Sequence, residues 1–329
     1  MLKQTTKELL LGSKNLLAFS AGVDSTALFF LLLEHTIPFD IAIVDYGVRE
    51  QSKEEVAYAQ QLAKEYNRNC YLKTAPEIEK NFEAQARAIR YDFFEELIKE
   101  HHYNTLLTAH HLGDRLEWFL MQLCKGAGAV ELAGMRECEL REHYTLVRPL
   151  LHLDKEELLE YLHKRDIHYF IDASNSDTKY RRNRFRTAYS QPLLSEYKEG
   201  IKKSFEYLDD DREALILEST ILRCNELVLF EKKNRRSDIY HIDKYLKSKK
   251  HLMTHNERAM LGKQKTVVIG RKYIVSEYKK YICIAPYVEK RGLSKEFKEK
   301  MRLLQIEPKL RGYLADDAEA VEFLSALFS

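Results

Sequence analysis

The sequence predicts an α/β protein: a doubly wound, mainly parallel sheet in the first part of the chain, then a smaller α+β C-terminal domain. Three observations carry this. Short apolar runs alternate with longer amphipathic segments through the first half. The first apolar run stops in a turn of small residues, Ser20-Ala21-Gly22-Val23-Asp24-Ser25. From about Ser190 the alternation gives way to a long helical pattern and a lysine-rich segment.

Taken in order, Leu16–Phe19 is short, apolar and bounded by polar residues, which marks a buried strand. The apolar run Thr26 to Leu33 then predicts a helix over Ser25–Glu34. Strands follow at Asp40–Val44, Cys70–Lys73, Thr105–Ala109 and Thr145–Arg148, with helices at Ser52–Tyr66, Phe82–His101 and Asp114–Lys125 between them. Such an alternation buries a parallel sheet between two layers of helices, and ligands then gather at the carboxyl ends of the strands. Ser20, Asp45, His110 and His111 each stand just after a strand. Asp154 reads as the N-cap of a helix from Lys155 to Arg165, with Glu156 and Glu157 in its first turn. Beyond it, Tyr197 to Leu229 reads as helical, and Val267 to Tyr278 as a hairpin turning near Gly270–Lys272. The domain boundary is expected near residue 190, giving domains 1–190 and 191–329.

Composition narrows the class. A chain of 329 residues has room for two cores, and 45% hydrophobic with 32% charged residues describes neither a disordered nor a membrane protein. The run Ala27 to Leu33 is too short to span a bilayer, and the N-terminus lacks a basic-then-apolar secretory pattern. Five scattered cysteines with no C-x-x-C suit reduced thiols, so a cytoplasmic protein is expected. The net charge of +2 hides local concentration. Lys179-Tyr-Arg181-Arg182-Asn183-Arg184-Phe-Arg186 interleaves basic and aromatic side chains, and Lys232-Lys233-Asn234-Arg235-Arg236 and Lys247–Lys250 are basic again. Runs of this kind suit RNA, through its phosphates and its unpaired bases, although either downstream run taken alone reads more simply as a solvated helix face.

The turn after the first strand carries the chemistry. A strand passing through small residues into a helix leaves backbone N–H groups and a positive dipole end facing outward, which favours phosphate. Ser20 and Ser25 add hydroxyls, Gly22 permits close approach, and Asp24 can hold Mg²⁺ between phosphates. There is no Walker A pattern, and Glu131 breaks a dinucleotide fingerprint at Gly126-Ala-Gly128. The loop resembles the Ser-Gly-Gly-x-Asp-Ser PP-loop of the N-type ATP pyrophosphatases, which split ATP between the α- and β-phosphates. Ala21 departs from it at the first glycine, a change that fits if φ stays negative there.

Further segments, in order, resemble the tRNA(Ile)-lysidine synthetase family over about residues 14–190. They are Val44-Asp45-Tyr46-Gly47-Val48-Arg49; Asn81-Phe-Glu-Ala-Gln-Ala-Arg87-Ala-Ile-Arg90-Tyr91; and Thr108-Ala-His-His111-Leu-Gly113-Asp114-Arg115-Leu-Glu117-Trp118. Arg148-Pro149-Leu150-Leu151 follows, then Asp172-Ala-Ser174-Asn175 and Arg182-Asn183-Arg184-Phe185-Arg186. Tyr46, Gly113, Arg115 and Trp118 differ from the family pattern.

The resemblance implies a ligase that uses Mg-ATP to adenylate a wobble cytosine of an isoleucine tRNA with a CAU anticodon. Free lysine then displaces AMP. It places ATP on Ser20, Ala21, Gly22, Val23, Asp24 and Ser25, with Asp45 and Arg87, and Mg²⁺ on Asp24. Asp24, His111, Asp114 and Glu117 are its catalytic set. Three residues apart, Asp114 and Glu117 share a helix face and can converge on a cation, either Mg²⁺ or a lysine ammonium. Arg90, Arg181, Arg182, Asn183 and Arg186, with Lys232, Lys233, Arg235 and Arg236 downstream, are expected to meet tRNA. Arg115 is expected to add positive charge near the lysine pocket, and Trp118 either to pack in the core or to narrow that pocket. No Cys/His set has zinc-ligand spacing. A homodimer is left open. Two rival readings remain: a tRNA thiolation enzyme of the same superfamily, for which Cys124 and Cys138 are the candidate thiols, and a non-catalytic RNA-binding module.

Overall fold

A computed structural model describes residues 1–47, 51–171, 181–289 and 292–327. Two compact units divide the chain, Met1–Asp210 and Asp211–Ser329. The first holds a six-stranded sheet in the order β3-β2-β1-β4-β6-β5. Its strands are β1 (Asn15–Ala18), β2 (Phe39–Asp45), β3 (Cys70–Thr74), β4 (Thr105–Leu107), β5 (Cys138–Leu140) and β6 (Thr145–Val147). All pairs are parallel except β5 with β6. β1 lies between β2 and β4, so successive connections leave it in opposite directions. That reversal opens a crevice at its carboxyl end.

The helices of this unit are α1 (Gln4–Leu11), α2 (Val23–Glu34), α3 (Gln51–Glu65), α4 (Phe82–His101), α5 (Leu112–Leu123), α6 (Ala129–Ala133), α7 (Lys155–His163), α8 (Arg181–Phe185) and α9 (Gln191–Leu215). Alternate strand residues decide which face each helix covers. Leu17, Ile41, Ile43, Leu107 and Val147 point toward α2, α3 and α7, in a core centred on the fully buried Phe29. Leu16, Ala42, Leu106 and Leu146 point the other way, onto Phe93, Phe94, Leu97 and Ile98 of α4. The period of two and the helix on each face are the doubly wound arrangement the sequence predicts.

The unit boundary falls inside α9, about twenty residues beyond the expected position near 190. The reason is apolar: Leu193, Leu194, Ile201, Phe205 and Leu208 of α9 pack on Leu112, Leu116, Phe119 and Leu120 of α5. The first turns of α9 therefore belong to the first core.

The second unit corrects another expectation. The helical reading of Tyr197 to Leu229 ends at Leu215, and β7 (Ile221–Cys224) and β8 (Leu227–Glu231) follow. Asn225 makes the turn between them at φ 53°, a left-handed conformation that asparagine tolerates. They join β9 (Thr266–Ile269), β10 (Tyr273–Tyr278) and β11 (Tyr281–Pro286) in an antiparallel sheet ordered β7-β8-β11-β10-β9. Gly270 and Arg271, both at positive φ, turn β9 into β10. α10 (Arg235–Ser248) covers one face, beside α11 (His255–Leu261). The other face is covered by α12 (Lys295–Leu303), α13 (Arg311–Leu314) and α14 (Ala318–Leu327). No helix among the described residues is long and apolar enough to cross a membrane.

Candidate active site

The loop from β1 into α2 is held by its own hydroxyls. Ser25 Oγ accepts from the Ser20 amide at 3.2 Å, lies 3.1 Å from Ser20 Oγ and reaches the Gly22 carbonyl at 3.2 Å. Gly22 is the N-cap of α2. Ala21 has φ 56°, which overturns the expectation of a negative φ. A left-handed alanine costs roughly 1–2 kcal/mol. The conformation persists because its surroundings hold it: the Phe170 amide donates to the Ala21 carbonyl at 2.9 Å, and Gly22 bridges Phe170 as a parallel strand would. Such strain is concentrated at functional sites.

Asp24, in the first turn of α2, carries the unsatisfied group. Its Oδ1 is buried and has no hydrogen-bond partner among the described residues. Burial raises its pKa; nearby His111 lowers it, and the Asp114 carboxylate adds to the rise. A buried carboxylate oxygen without a donor, on a side chain that is itself half-buried beside a phosphate-binding turn, is the chemistry a hard cation satisfies.

His111 joins this loop to α5. It caps the helix, with Nδ1 accepting from the Gly113 amide at 3.0 Å while its own amide donates to Asp114 Oδ2 at 2.9 Å. Because Nδ1 accepts, Nε2 carries the hydrogen. That nitrogen is 3.8 Å from Asp24 Oδ2 and 3.7 Å from Asp114 Oδ2. Gly113 makes this ring position possible, since a Cβ there would lie 2.7 Å from His111 Cε1. The departure at position 113 thus has a local cause.

Asp114 and Glu117 converge, as their spacing predicts, and both are buried. The cations they meet are this chain's own. Arg182 donates from Nε to Glu117 Oε2 at 2.8 Å and from Nη2 to Asp114 Oδ1. Arg186 donates from Nε to Glu117 Oε1 at 2.5 Å and from Nη2 to Glu117 Oε2 at 3.2 Å. A single π-helical turn, Arg186–Ser190, continues α8 here. π-Turns of this kind recur at functional sites. Burial alone would raise the Asp114 carboxyl, but His111, Arg182 and the His111 amide outweigh it and hold it well below the usual carboxylate range. Arg182 and Arg186, expected on the tRNA side, instead face the carboxylate pair. Arg181 stays exposed over the Phe185 ring, and Asn183 is half-buried in α8.

Two departures from the family pattern leave the pocket itself unaltered. Arg115 turns toward α6 and α9. Its guanidinium donates to the Ala133 carbonyl at 3.0 Å and to Asp209 at 2.7 Å, over the Phe205 ring. The expected positive charge beside the lysine pocket is therefore spent on packing. Trp118 is 44% exposed, against Gly134, and neither enters the core nor closes the pocket.

Asp45, at the end of β2, accepts from the Gly47 amide at 2.8 Å. Tyr46 donates its hydroxyl to the Ala86 carbonyl at 3.1 Å, tying β2 to the first turns of α4. On α4, Arg87 is exposed and lies over the Tyr91 ring, and Arg90 is exposed too. Neither makes an ion pair with the loop. Arg49 and Asp172–Asn175 lie outside the described residues. In the second unit, Lys232 pairs with Glu277 at 2.6 Å and Lys233 with Glu231 at 2.9 Å. Arg235 lies against Gly262, and Arg236 also has a partner. Two of the four basic side chains of this run thus pair with acids.

The sequence places His110 at the ligand end of a strand and Arg148 in a family segment, without assigning a chemical step to either. Arg148 is buried and holds the Arg136 carbonyl at 2.7 Å and Glu139 at 3.2 Å. His110 Nδ1 lies 2.9 Å from Thr108 Oγ1. Burial pushes His110 down to about 4; Asp114 opposes this, while Arg148, Arg182 and Arg87 reinforce it. A neutral histidine in the fold against 6.5 when unfolded gives stability that is complete above 6.5 and lost as pH falls toward 4. Denaturant unfolding should therefore show about 2 kcal/mol less stability at about pH 5 than at about pH 7 from this group. His110→Gln should flatten that slope. An unchanged slope in the variant would assign the loss to other groups.

The fold and this loop define an ATP-binding PP-loop protein, and residues 1–193 match the PP-loop domain family. Named relatives extend the match to nearly the whole chain. A tRNA(Ile)-lysidine synthase of Helicobacter pylori is 42% identical, covering 94% of this chain and 92% of its own length. Those of Wolinella succinogenes and Campylobacter jejuni are 45% and 40% identical, covering 93% and 98% of this chain and 94% and 99% of their own lengths. The chain belongs to the tRNA(Ile)-lysidine synthase family. Among solved structures, a U34-tRNA thiolase of Methanococcus maripaludis shares the fold at TM-score 0.51 and 16% identity, covering 66% of this chain and 80% of its own.

Proposed function

We infer that this protein joins free lysine to carbon 2 of the wobble cytidine in isoleucine tRNA bearing a CAU anticodon, using ATP and releasing AMP and pyrophosphate. The observation that carries this reading is the placement of His111. One imidazole stands between the phosphate-loop carboxylate Asp24 and Asp114, one member of the carboxylate pair that Glu117 completes. Nucleotide activation and amine delivery thus share a single site.

The turn Ser20–Ser25 receives the phosphates on backbone N–H groups and two hydroxyls. Asp24, through its unpartnered Oδ1, would hold Mg²⁺ there. The metal would neutralise charge on the phosphates. The cytosine O2 forms a bond to the α-phosphorus, and the bond from that phosphorus to the bridging oxygen breaks, releasing pyrophosphate. The lysine ε-amine, having lost a proton, then bonds to carbon 2 as the carbon–oxygen bond breaks and AMP leaves. His111 serves as a donor, since Nε2–H points into the space between the carboxylates and can meet charge developing on phosphate. Asp114 and Glu117 offer the lysine ammonium a place that Arg182 and Arg186 hold in this structure. Lysine must therefore displace or join those guanidiniums. Exposed Arg181, Arg87 and Arg90 supply positive charge for RNA.

The test is incubation with Mg-ATP, lysine and this tRNA, followed by nucleoside mass spectrometry. The expected product is a cytidine carrying one lysine less one water, with stoichiometric pyrophosphate. Pyrophosphate without the adduct would transfer the reading to another nucleophile, sulfur first. Neither product from folded, tRNA-bound protein would leave an RNA-binding module.

A further inference from the structure

We propose that Trp118 is a stacking platform for an unpaired base of the RNA substrate, at the rim of the carboxylate pair; this rests on the tRNA reading given above. Positions 114, 117, 118 and 121 fall on one stripe of α5, because residues three and four apart share a helix face. Leu112, Leu116, Phe119 and Leu120 form the other stripe, which packs on α9. Trp118 thus stands one turn beyond Asp114 on the side that carries the site. Asp114 and Glu117 are buried there, while the indole is 44% exposed.

The ring also lies against backbone. Its Cδ1 would lie 2.7 Å from a Cβ at Gly134, so the indole edge rests directly on that glycine's backbone. Gly134 has φ 66° and ψ −129°, a conformation that side chains other than glycine rarely adopt. Arg115 pins the adjacent Ala133 carbonyl. Among the described residues no aromatic ring or hydrogen-bond partner engages the indole. A large aromatic surface with only two side-chain torsions, seated on backbone and left open, loses little entropy on stacking.

The surrounding charge favours a nucleic acid over an apolar partner. α8 packs on the same helix through Arg182 and presents Arg181 and Arg184 to solvent. Lys125 is exposed just past the end of α5. Aromatic faces flanked by basic side chains bind unpaired bases with little sequence preference. A wobble base delivered to this site must leave its stack, and an exposed indole beside the pocket offers a surface to it or to its neighbour.

Trp118 is the chain's one tryptophan, so its emission reports this position alone. The full-length protein is titrated with a hairpin RNA displaying the CAU loop, with a fully paired duplex of equal length, and with Mg-ATP. Strong quenching by the hairpin only is expected. Trp118→Phe should keep hairpin affinity, whereas Trp118→Leu and Trp118→Thr should weaken it roughly tenfold, leaving the KM values for lysine and ATP unchanged. Equal quenching by the duplex, quenching by Mg-ATP without an RNA effect, or full affinity in Trp118→Leu would each overturn the platform. The quenching arm uses the unaltered protein, so a variant that misfolds does not remove the test. Lysidine formed with no change in emission would overturn this proposal and leave the ligase reading intact. Quenching and tight hairpin binding without any lysine adduct would do the reverse.

Discussion

Asp24→Asn is expected to cut pyrophosphate release by about 10²–10³-fold while raising the melting temperature at neutral pH. Both effects come from the same buried oxygen. The carboxylate is the one anionic group that the phosphate turn itself offers to a metal, and asparagine keeps its shape without its charge. The stability gain follows from linkage. Burial raises the Asp24 pKa above its ordinary 3.8, despite His111. A carboxyl with a raised folded pKa gives its most favourable contribution below the unfolded value and loses it as pH rises through the folded value. Above the ordinary value the penalty grows with pH until the folded carboxyl ionises, so it is present at neutral pH, and asparagine removes it. Thermal melts beside a pyrophosphate assay test the pair of effects. Unchanged release would exclude Asp24 from the chemistry, and a lowered melting temperature would make it a structural residue.

That coupling of strain and activity extends through the loop. Ala21 holds a left-handed conformation in which glycine would be unstrained, and Asp24 keeps a buried charge without a donor. The stability for both comes from elsewhere, chiefly the core around Phe29 and the strands on either side of β1. Sites that must receive a charged ligand are commonly built this way.

The sheet was legible because its signal is local. Five of the six strands of the first unit stand where a short run announces them, while β5 is a three-residue edge strand with a central glutamate and gives no such signal. The alternation that makes Leu16 and Leu17 face opposite layers also separates helix from strand. The phosphate turn was legible for the same reason, since all of its groups lie within six consecutive residues. What escaped was long-range or conformational. The β7–β8 hairpin hid inside a helical reading because a single Asn225 carries the turn. The meeting of Glu117 with Arg182 spans a separation of 65 residues, and spacing within one helix cannot announce it. Their neighbours in sequence suggest charge beside the pocket for Arg115 and either core packing or a narrowed pocket for Trp118. Arg115 instead turns toward Phe205, and Trp118 lies exposed on Gly134. The boundary shifted for a comparable reason: the apolar residues of α9 have no partner in sequence and find one on α5.

Glu117 should give the sharpest separation of stability from function. Glu117→Ala removes the acceptor of three hydrogen bonds from Arg182 and Arg186 and leaves two guanidiniums around Asp114 alone. Breaking a buried pair from one side costs about 3–5 kcal/mol; Arg182 is 37% exposed, so water recovers part of that, and a loss of about 3 kcal/mol is expected. Glu117→Gln retains the shape and two heteroatoms and should fold with a smaller loss. Its lysine KM should nevertheless rise about 10–100-fold, the worth of a charge-assisted hydrogen bond, while tRNA-dependent pyrophosphate release is spared. The split matters because a residue that only anchored α8 would weaken both steps together through Arg182 and Arg186. A lysine KM unchanged in Glu117→Gln would make the carboxylate pair a structural clamp. A raised lysine KM with intact adenylation would make the same pair the amine's binding place, with the two arginines as the cations it holds until lysine arrives.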